Sequence, residues 1–518
     1  MHRHGRHLVQ SSNAPVVSAE KQFALLNTRI HQCISVSQLA AIVGSTTPDS
    51  FNSVNCATAI YKLGRIRDSN STPLFNQLLG FTKTKRLGPQ SLSSVCQGLA
   101  LAGLPVPDYV VTQVVNMPRT RYKPMDLATL AWSFASLGRP PSKITEWLSS
   151  VTFDVAMGNK ELPHRDLSML MWSLAKLQHQ SFPVLFNFVL TKLQDHKLDL
   201  ALFSNQDLVM LIWSCAHGQI GDKLTRSKVF DHLEQFLLSK SFKSPSLRIS
   251  SPHDLSSILW SLATAKREPS MLVDRVFNTL LDKQHECTGQ DVSNALWGLA
   301  KLRHVPTRNF TTNGLDFTKF TDQALGNTLW ALAVLGGTHV EWLDLLLGEI
   351  AMRPGHDVPT YNLAWSLACL DVLDKPVVVK HLSTISNIGP CLSLEDAMQL
   401  QQFKLAWPNH LPLPKFASNG QTGAPSPVDV FLRQQQPITE SSHVHLQIAS
   451  ALQAKLPKDL VIVNECHTLP NLFGIAVDMY IPAKRLVIEV DGPNHYSWDN
   501  RSMLGSTRFK HRLITKQG

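Results

Sequence analysis

The chain has 518 residues, of which 43% are hydrophobic and 17% are charged, and this composition is typical of a globular protein and excludes a largely disordered one. The sequence has no uninterrupted apolar run of about 18 residues, so we expect no membrane span. The formal net charge of +10 at pH 7 favours a polyanionic partner, and the eight cysteines form no CxxC pair, which argues against a zinc site.

The N-terminal segment is basic and poor in acids. Residues 1–19 contain Arg3 and Arg6, three histidines and several serines, and the first acidic residue is Glu20. This composition is typical of an organellar transit peptide, although an ordinary disordered tail would have a similar composition. We assign residues 1–29 to an N-terminal tail that is a possible transit peptide for a mitochondrion or a chloroplast.

Residues 30–410 contain a ten-residue phrase that recurs along the chain. The clearest copy is DLSSILWSLA at residues 254–263, and close copies begin at Asp126, Asp166, Asp207 and Asp291. With weaker and degenerate copies included, the tryptophan position falls at residues 58, 97, 132, 172, 213, 260, 297, 330, 365 and 399. A period of this size predicts a solenoid of about ten repeats, in which each repeat buries its apolar face against its neighbours.

Each repeat is predicted to be a helix, a turn and a second helix. Offsets −5, −2, −1, +2 and +5 from the tryptophan are apolar in most copies, which is one face of an amphipathic helix. The aspartate at offset −6 fits an N-cap, because its carboxylate can accept from free amide groups of the first turn. A second apolar segment, such as residues 271–281, follows a short break. We expect the tryptophan column to lie in the core.

Offsets −3, +1 and +4 are predicted to form an exposed stripe on the opposite side of the first helix. The side chains at −3 are short, mostly polar and variable, and Lys176 and Lys301 occupy +4 in two copies. The stripe is either a solvated face or a surface where one residue per repeat meets one base of single-stranded RNA. The candidate RNA-binding residues at −3 are Asn55, Ser94, Thr129, Met169, Met210, Ser257, Asn294, Asn327 and Asn362.

These repeats resemble the octotricopeptide repeats, which carry an LLWALAKL-like helix, and the related helical repeats of the FAST kinase-like family. The resemblance covers about residues 50–410. It implies an alpha-solenoid that binds RNA in mitochondria or chloroplasts and controls the stability, processing or translation of organellar transcripts. It transfers no base-reading code, because the degenerate copies leave the register open.

The remainder of the chain is predicted to be a linker and a small α/β domain. Residues 411–437 are rich in Pro, Gly, Ser and Gln, which is typical of a flexible linker. Within residues 438–518 we predict a helix at 441–455, strands at 460–464, 474–481 and 485–491, and a last helix at 507–516.

The phrase VIEVDGPNHY at residues 487–496 resembles the RAP domain, an RNA-associated module found at the C-terminus of such repeat proteins. RAP domains are in turn similar to the PD-(D/E)XK nuclease fold. That similarity implies that Asp478 and Glu489 match the two strand carboxylates of the nuclease motif, whereas Asp491 stands where the motif usually has lysine. The sequence ends soon after Lys516, where RAP domains usually continue through another strand, so either the sequence is a fragment or the domain is C-terminally truncated.

The carboxylates suggest a possible catalytic site with a metal. Asp478, Glu489 and Asp491 alternate along adjacent strands, and Glu489 and Asp491 are predicted to share a face. Such oxygen ligands could hold a divalent cation such as magnesium, which activates water, with His495 as general base or acid. The alternative is a binding domain that keeps an acidic pocket for structure, and the missing lysine favours it. No other cofactor is indicated.

The last predicted helix is basic, and Arg508, Lys510 and Arg512 are candidate contacts for RNA phosphates. A solvated basic face would look the same. Taken with the repeats, the sequence predicts a mostly α, organellar RNA-binding protein whose partner is single-stranded RNA, either mRNA or rRNA. The alternatives are a metal-dependent RNA endonuclease guided by the repeats and a scaffold that binds protein partners.

Overall fold

The computed structural model describes residues 18–220, 223–241, 251–312, 315–337, 341–353, 360–385, 393–414, 443–457, 459–466, 475–499 and 501–517. Residues 1–17 of the predicted tail and most of the predicted linker lie outside these ranges. Within them, no helix combines the length and apolar character that a membrane crossing requires. The chain divides into two compact units, residues 1–229 and 230–518.

The first unit stacks helix pairs in chain order. It begins with α1 (Ala19–Gln32) and α2 (Val36–Gly44), so residues 19–29 of the predicted tail are helical and pack on the first repeat. The first helices of its repeats are α3 (Ser53–Ile66), α5 (Pro89–Leu101), α7 (Pro124–Leu137), α9 (His164–Lys176) and α11 (Asn205–His217). The second helices are α4 (Thr72–Thr82), α6 (Asp108–Asn116), α8 (Ser142–Ala156) and α10 (Phe182–Gln194). First helices pack on first helices and second helices on second helices, which gives two layers.

The second unit repeats this arrangement after α12 (Lys223–Ser241), the helix that contains the division. The helices that follow are α13 (Pro252–Thr264), α14 (Met271–Leu281), α15 (Gly289–Lys301), α16 (Asp322–Leu335), α17 (Leu343–Met352), α18 (Thr360–Cys369), α19 (Pro376–Thr384) and α20 (Leu394–Ala406). The first helices α13, α15, α16, α18 and α20 pack in succession.

One repeat of the second unit departs from the predicted helix–turn–helix pattern. Between α15 and α16, the structure describes only short 3-10 geometry, including the turn Phe317–Lys319, in place of a second α-helix. Buried aromatic rings fill the layer instead: Phe310 packs edge-on against Phe277 at 5.7 Å, and its carbonyl accepts from Trp342 Nε1 at 2.9 Å.

The chain ends in a small α/β domain. It comprises α21 (His443–Lys455), β1 (Val463–Cys466), β2 (Val477–Ile481), β3 (Leu486–Ile488) and α22 (Gly505–Gln517). The strands form an antiparallel sheet in the order β1-β2-β3, and the buried side chains of β2 pack on apolar residues of α21. The predicted fold class, a helical solenoid followed by a small α/β domain, is confirmed. However, β3 ends at Ile488, so Glu489 and Asp491 follow the strand and are not part of it.

The aspartate at offset −6 was predicted to be an N-cap, and this prediction is wrong. It is instead the third residue of its helix. Ser204 and Thr288 are the N-caps of α11 and α15, and their amide groups donate to Asp207 at 3.2 Å and Asp291 at 2.9 Å. Each pair forms a reciprocal capping box. Burial alone would raise the pKa of the Asp291 carboxyl, but hydrogen bonds from His253 and Thr288 outweigh it and lower that pKa.

Offset +1 was predicted to be exposed, and this prediction is wrong. Its serines in α7, α9, α11, α13 and α18 are fully buried, and each hydroxyl donates to the carbonyl four residues earlier. Glycines take the same offset in α5 and α15, where a Cβ on Gly98 would lie 2.5 Å from the Ile60 carbonyl oxygen and one on Gly298 would lie 2.9 Å from that of Leu259. Small residues at +1 therefore let adjacent first helices approach closely.

Candidate nucleic-acid interface

The tryptophan column lies at the surface of the first-helix layer and not in the core. Trp132, Trp172 and Trp213 of the first unit are half-buried, as are Trp260, Trp297 and Trp330 of the second; Trp365 alone of this set is buried. The expectation of a core column is therefore wrong except at Trp365. With 3.6 residues per turn, offsets −3, 0 and +4 fall within about 60° of one another, so the tryptophan lies on the same face of the helix as the residues at −3 and +4. We call these three offsets the tryptophan stripe.

Within each unit, the indole rings of successive repeats lie side by side. In the first unit, the ring centroids of Trp172 and Trp213 are 5.8 Å apart, and His217 stacks on Trp213 at 4.5 Å. In the second unit, the rings of Trp260 and Trp297 are 6.1 Å apart with planes inclined by 24°. Each unit thus presents a row of partly exposed aromatic rings, which is how proteins stack unpaired bases.

One exposed lysine adds positive charge to the row of each unit. The Nζ of Lys176 lies 5.1 Å from the ring centroid of Trp172. The Nζ of Lys301 lies 5.6 Å from the ring of Trp297 and 4.8 Å from that of Trp330. These cation–π contacts hold the ammonium groups at the aromatic surface, where they can meet phosphates.

The candidate residues at offset −3 fall into two groups. Seven are half-buried members of the stripe: Ser94, Met169, Met210, Ser257, Asn294, Asn327 and Asn362. The other two, Asn55 and Thr129, are buried. Asn55 Nδ2 donates to the Phe23 carbonyl at 2.9 Å, and its side chain also completes the capping box of α3, so the fold itself accounts for this residue.

The basic residues of α22 contact the solenoid of their own unit. The Arg508 guanidinium donates to Gly336 O at 3.2 Å, and that of Arg512 donates to the carbonyls of Ala368 and Cys369 at 3.0 and 2.9 Å. These carbonyls end α16 and α18, where the helix dipole places partial negative charge. Lys510 instead pairs with Glu489 at 2.6 Å. The sequence signal, cations at four-residue spacing, did not reveal these partners.

The predicted catalytic carboxylates each have a partner. Asp478 accepts from the Val490 amide at 2.6 Å. Asp491 lies 3.3 Å from His495 Nδ1 and 3.1 Å from His511 Nε2. Burial raises the pKa of Glu489, and the neighbouring Lys510 ammonium opposes that shift without cancelling it.

The donor set fits a magnesium site only in part. Asp478 and Glu489 lie close enough to repel each other, but Lys510 already pairs with Glu489, and two imidazoles face Asp491. Among the described residues, the side chains that converge within 4.8 Å are instead His445, Glu465 and Asp478. His445 Nδ1 contacts Glu465 at 3.1 Å, so this contact accounts for two of these three.

Comparison with known proteins shows a distant similarity to a protein of rice. The chain is 23% identical over 320 residues to the RAP domain-containing protein, chloroplastic, of Oryza sativa subsp. japonica. The match covers 52% of this chain and 48% of the relative, so the chain spans about half the length of that protein. No protein-family model matches. The similarity supports a distant relation to RAP-domain proteins.

Proposed function

We propose that the protein binds single-stranded RNA along the tryptophan stripe. The observation that carries the proposal is a row of partly exposed indole rings in each unit, with Lys176 held against the first row and Lys301 against the second. Aromatic faces stack unpaired bases, and the ammonium groups meet phosphates, which is the pairing of contacts that single-stranded nucleic acid requires. Half-buried side chains at −3 lie beside the rings and are positioned to contact base edges.

The net charge supports a polyanionic partner, and the relative's name supports an organellar setting. A formal charge of +10 favours a polyanion, and the similar rice protein is named as chloroplastic. We infer that the protein acts in a mitochondrion or chloroplast on a transcript or rRNA, where holding one RNA segment would influence its processing, stability or translation.

Equilibrium binding tests this function. We expect a fluorescent single-stranded RNA to bind the full chain with a strong salt dependence, and Lys176→Gln with Lys301→Gln to flatten the slope of log K against log salt by about 1.4. The matched control replaces Lys197 and Lys319, two exposed lysines that pair with Asp195 and Asp316 off the stripe. Salt-independent binding, or equal slopes for both double variants, would contradict the proposal and favour a protein-binding scaffold.

A second candidate is metal-dependent cleavage of the bound RNA. The observation in its favour is Lys510, whose Nζ lies 2.6 Å from Glu489 and so supplies a lysine beside the second carboxylate although position 491 is aspartate. Asp478 and Glu489 would hold a divalent ion, which when bound would activate water.

Incubation with RNA and magnesium or manganese separates the two functions. A binder leaves the RNA intact, whereas a nuclease cuts it and loses cutting, but not affinity, in Asp478→Ala. Because Lys510 already pairs with Glu489 and two imidazoles face Asp491, we expect intact RNA, with Glu489→Ala lowering stability.

A further inference from the structure

The open part of the tryptophan stripe ends before the last tryptophan of the second unit. Trp365 is only 8% exposed, its Nε1 donates to Gln402 at 2.7 Å, and the ring of Phe509 from α22 meets it edge-on at 6.3 Å. An RNA strand that follows the stripe past Trp330 therefore finds the next indole covered by the C-terminal domain.

A different tryptophan is exposed close to this point. Trp498, in the segment between β3 and α22, has 38% of its surface exposed. Its amide donates to Arg303 O at 2.9 Å, and the Arg303 guanidinium donates in return to Pro493 O. Arg303 follows the stripe residue Lys301 by two positions, so these contacts fix Trp498 beside the end of α15.

The Trp498 ring and the Arg303 guanidinium form one surface. The Arg303 Cζ lies 5.9 Å from the ring centroid, so the cation occupies one side of the indole, while the residue as a whole stays more than one third exposed. A flat aromatic ring next to a guanidinium offers a stacking face for a base and a charge for its phosphate.

We propose that Trp498 and Arg303 form a nucleobase-stacking site that continues the tryptophan stripe onto the C-terminal domain. The site binds an unpaired nucleotide of the RNA strand that is bound at Lys301. The strand leaves the stripe there because Trp365 is covered. This inference rests on the proposed RNA-binding function and extends it to a residue of the small domain.

The test compares Trp498→Ala and Trp498→Phe with Phe153→Ala in the full chain, using labelled single-stranded RNA. Phe153 is also an exposed aromatic residue, at 56%, but lies on a second helix. We expect Trp498→Ala to weaken binding roughly tenfold, since stacking on one aromatic ring is worth about 1–3 kcal/mol per base. Trp498→Phe should restore most of the affinity, and Phe153→Ala should bind as the wild type does.

Two outcomes would overturn this site while leaving RNA binding by the stripe in place. The first is wild-type affinity in Trp498→Ala while the Lys176 and Lys301 double variant is weakened. The second is equal weakening by Trp498→Ala and Trp498→Phe with a lowered melting temperature, which would show that the ring acts through domain packing. If the wild-type chain binds no RNA, the proposed function fails together with this site.

Discussion

Each stripe tryptophan except Trp365 packs part of its ring against the solenoid and leaves the rest exposed. Half-burial explains why the prediction of a core tryptophan column was wrong. A recurrent large apolar residue usually lies in the core, and only its angular position on the helix, relative to the buried residues, shows otherwise. Trp297 lies between the buried Leu296 and Gly298 along the chain, yet its ring stacks against Trp260 and under Lys301. The column therefore contributes some stability and, on our proposal, much of the RNA affinity.

Replacement of Trp297 should separate these two contributions. We expect Trp297→Ala to weaken RNA binding at least several-fold and to lower stability less than Leu299→Ala, whose side chain is fully buried. Leu299→Ala should cost about 2–5 kcal/mol through cavity formation while RNA affinity below the melting temperature is kept. Thermal melts and RNA titrations of both variants check this. A larger stability loss for Trp297→Ala, with unchanged affinity, would restore the core assignment.

The buried His179 gives a pH prediction. Its Nδ1 accepts from the Ser181 amide at 3.1 Å and its Nε2 meets Thr145 O at 3.0 Å, so the fold holds the neutral ring, and burial lowers the pKa. The unfolded chain, with the ordinary pKa of 6.5, then binds more protons than the folded chain just below that pH. Stability should fall as pH drops below 6.5.

Unfolding of wild type, His179→Gln and a control, His285→Gln, at pH 7.5 and 5.5 measures this effect. The acid-induced loss of stability should be smaller in His179→Gln and unchanged in the control, whose histidine is exposed. Identical pH dependence in all three proteins would show that His179 is not the group responsible.

At the scale of elements, first helices stack closely because small residues recur at offset +1. The sequence predicted the solenoid well, since the repeat period and the amphipathic spacing are local signals. It could not place the aspartate at the third helical residue, because that depends on where the helix begins: Ser204 and Thr288 fix the starts of α11 and α15. It also could not foresee β3 ending before Glu489 or α22 meeting the solenoid, since both depend on contacts distant in sequence.

The close approach can be tested with two glycines of the first unit. We expect Gly98→Ala to destabilise by about 1–3 kcal/mol, because the new Cβ would lie 2.5 Å from the Ile60 carbonyl oxygen of the adjacent helix. Gly80→Ala in α4 meets nothing within 4 Å and should stabilise by about 0.4–1 kcal/mol through chain entropy. Thermal unfolding of the two variants tests this close approach. Stabilisation by both substitutions would mean that α3 and α5 lie further apart.

At the scale of the second unit, the C-terminal domain is attached through helix ends. Three cations spaced by four residues on α22 donate to carbonyls at the ends of successive first helices. Arg508 donates at the end of α16 and Arg512 at the end of α18. Lys516 donates to the last carbonyl of α20 and to that of the residue after it. One cation thus serves each successive first helix. This geometry gives the basic face of α22 a structural role that sequence reasoning did not weigh.

Removal of Arg512 should loosen that attachment. We expect Arg512→Ala to destabilise the second unit by about 1–2 kcal/mol, because two carbonyls at the end of α18 lose a charged donor. Arg501→Ala is the matched control, since Arg501 is highly exposed and pairs only with Asp499 among the described residues. Melting temperatures of the two variants test the contact, and equal values would contradict it.

The path of the RNA along the tryptophan stripe of each unit is the central claim, and crosslinking measures it most directly. Single-stranded RNA carrying 4-thiouridine would be photo-crosslinked to the full chain, and the attached peptides identified by mass spectrometry. Binding along the tryptophan stripe predicts crosslinks within α9, α11, α13, α15 and α16, at and around the indole column. Crosslinks confined to the second helices α8, α10, α14 and α17, with none on the first helices, would contradict it.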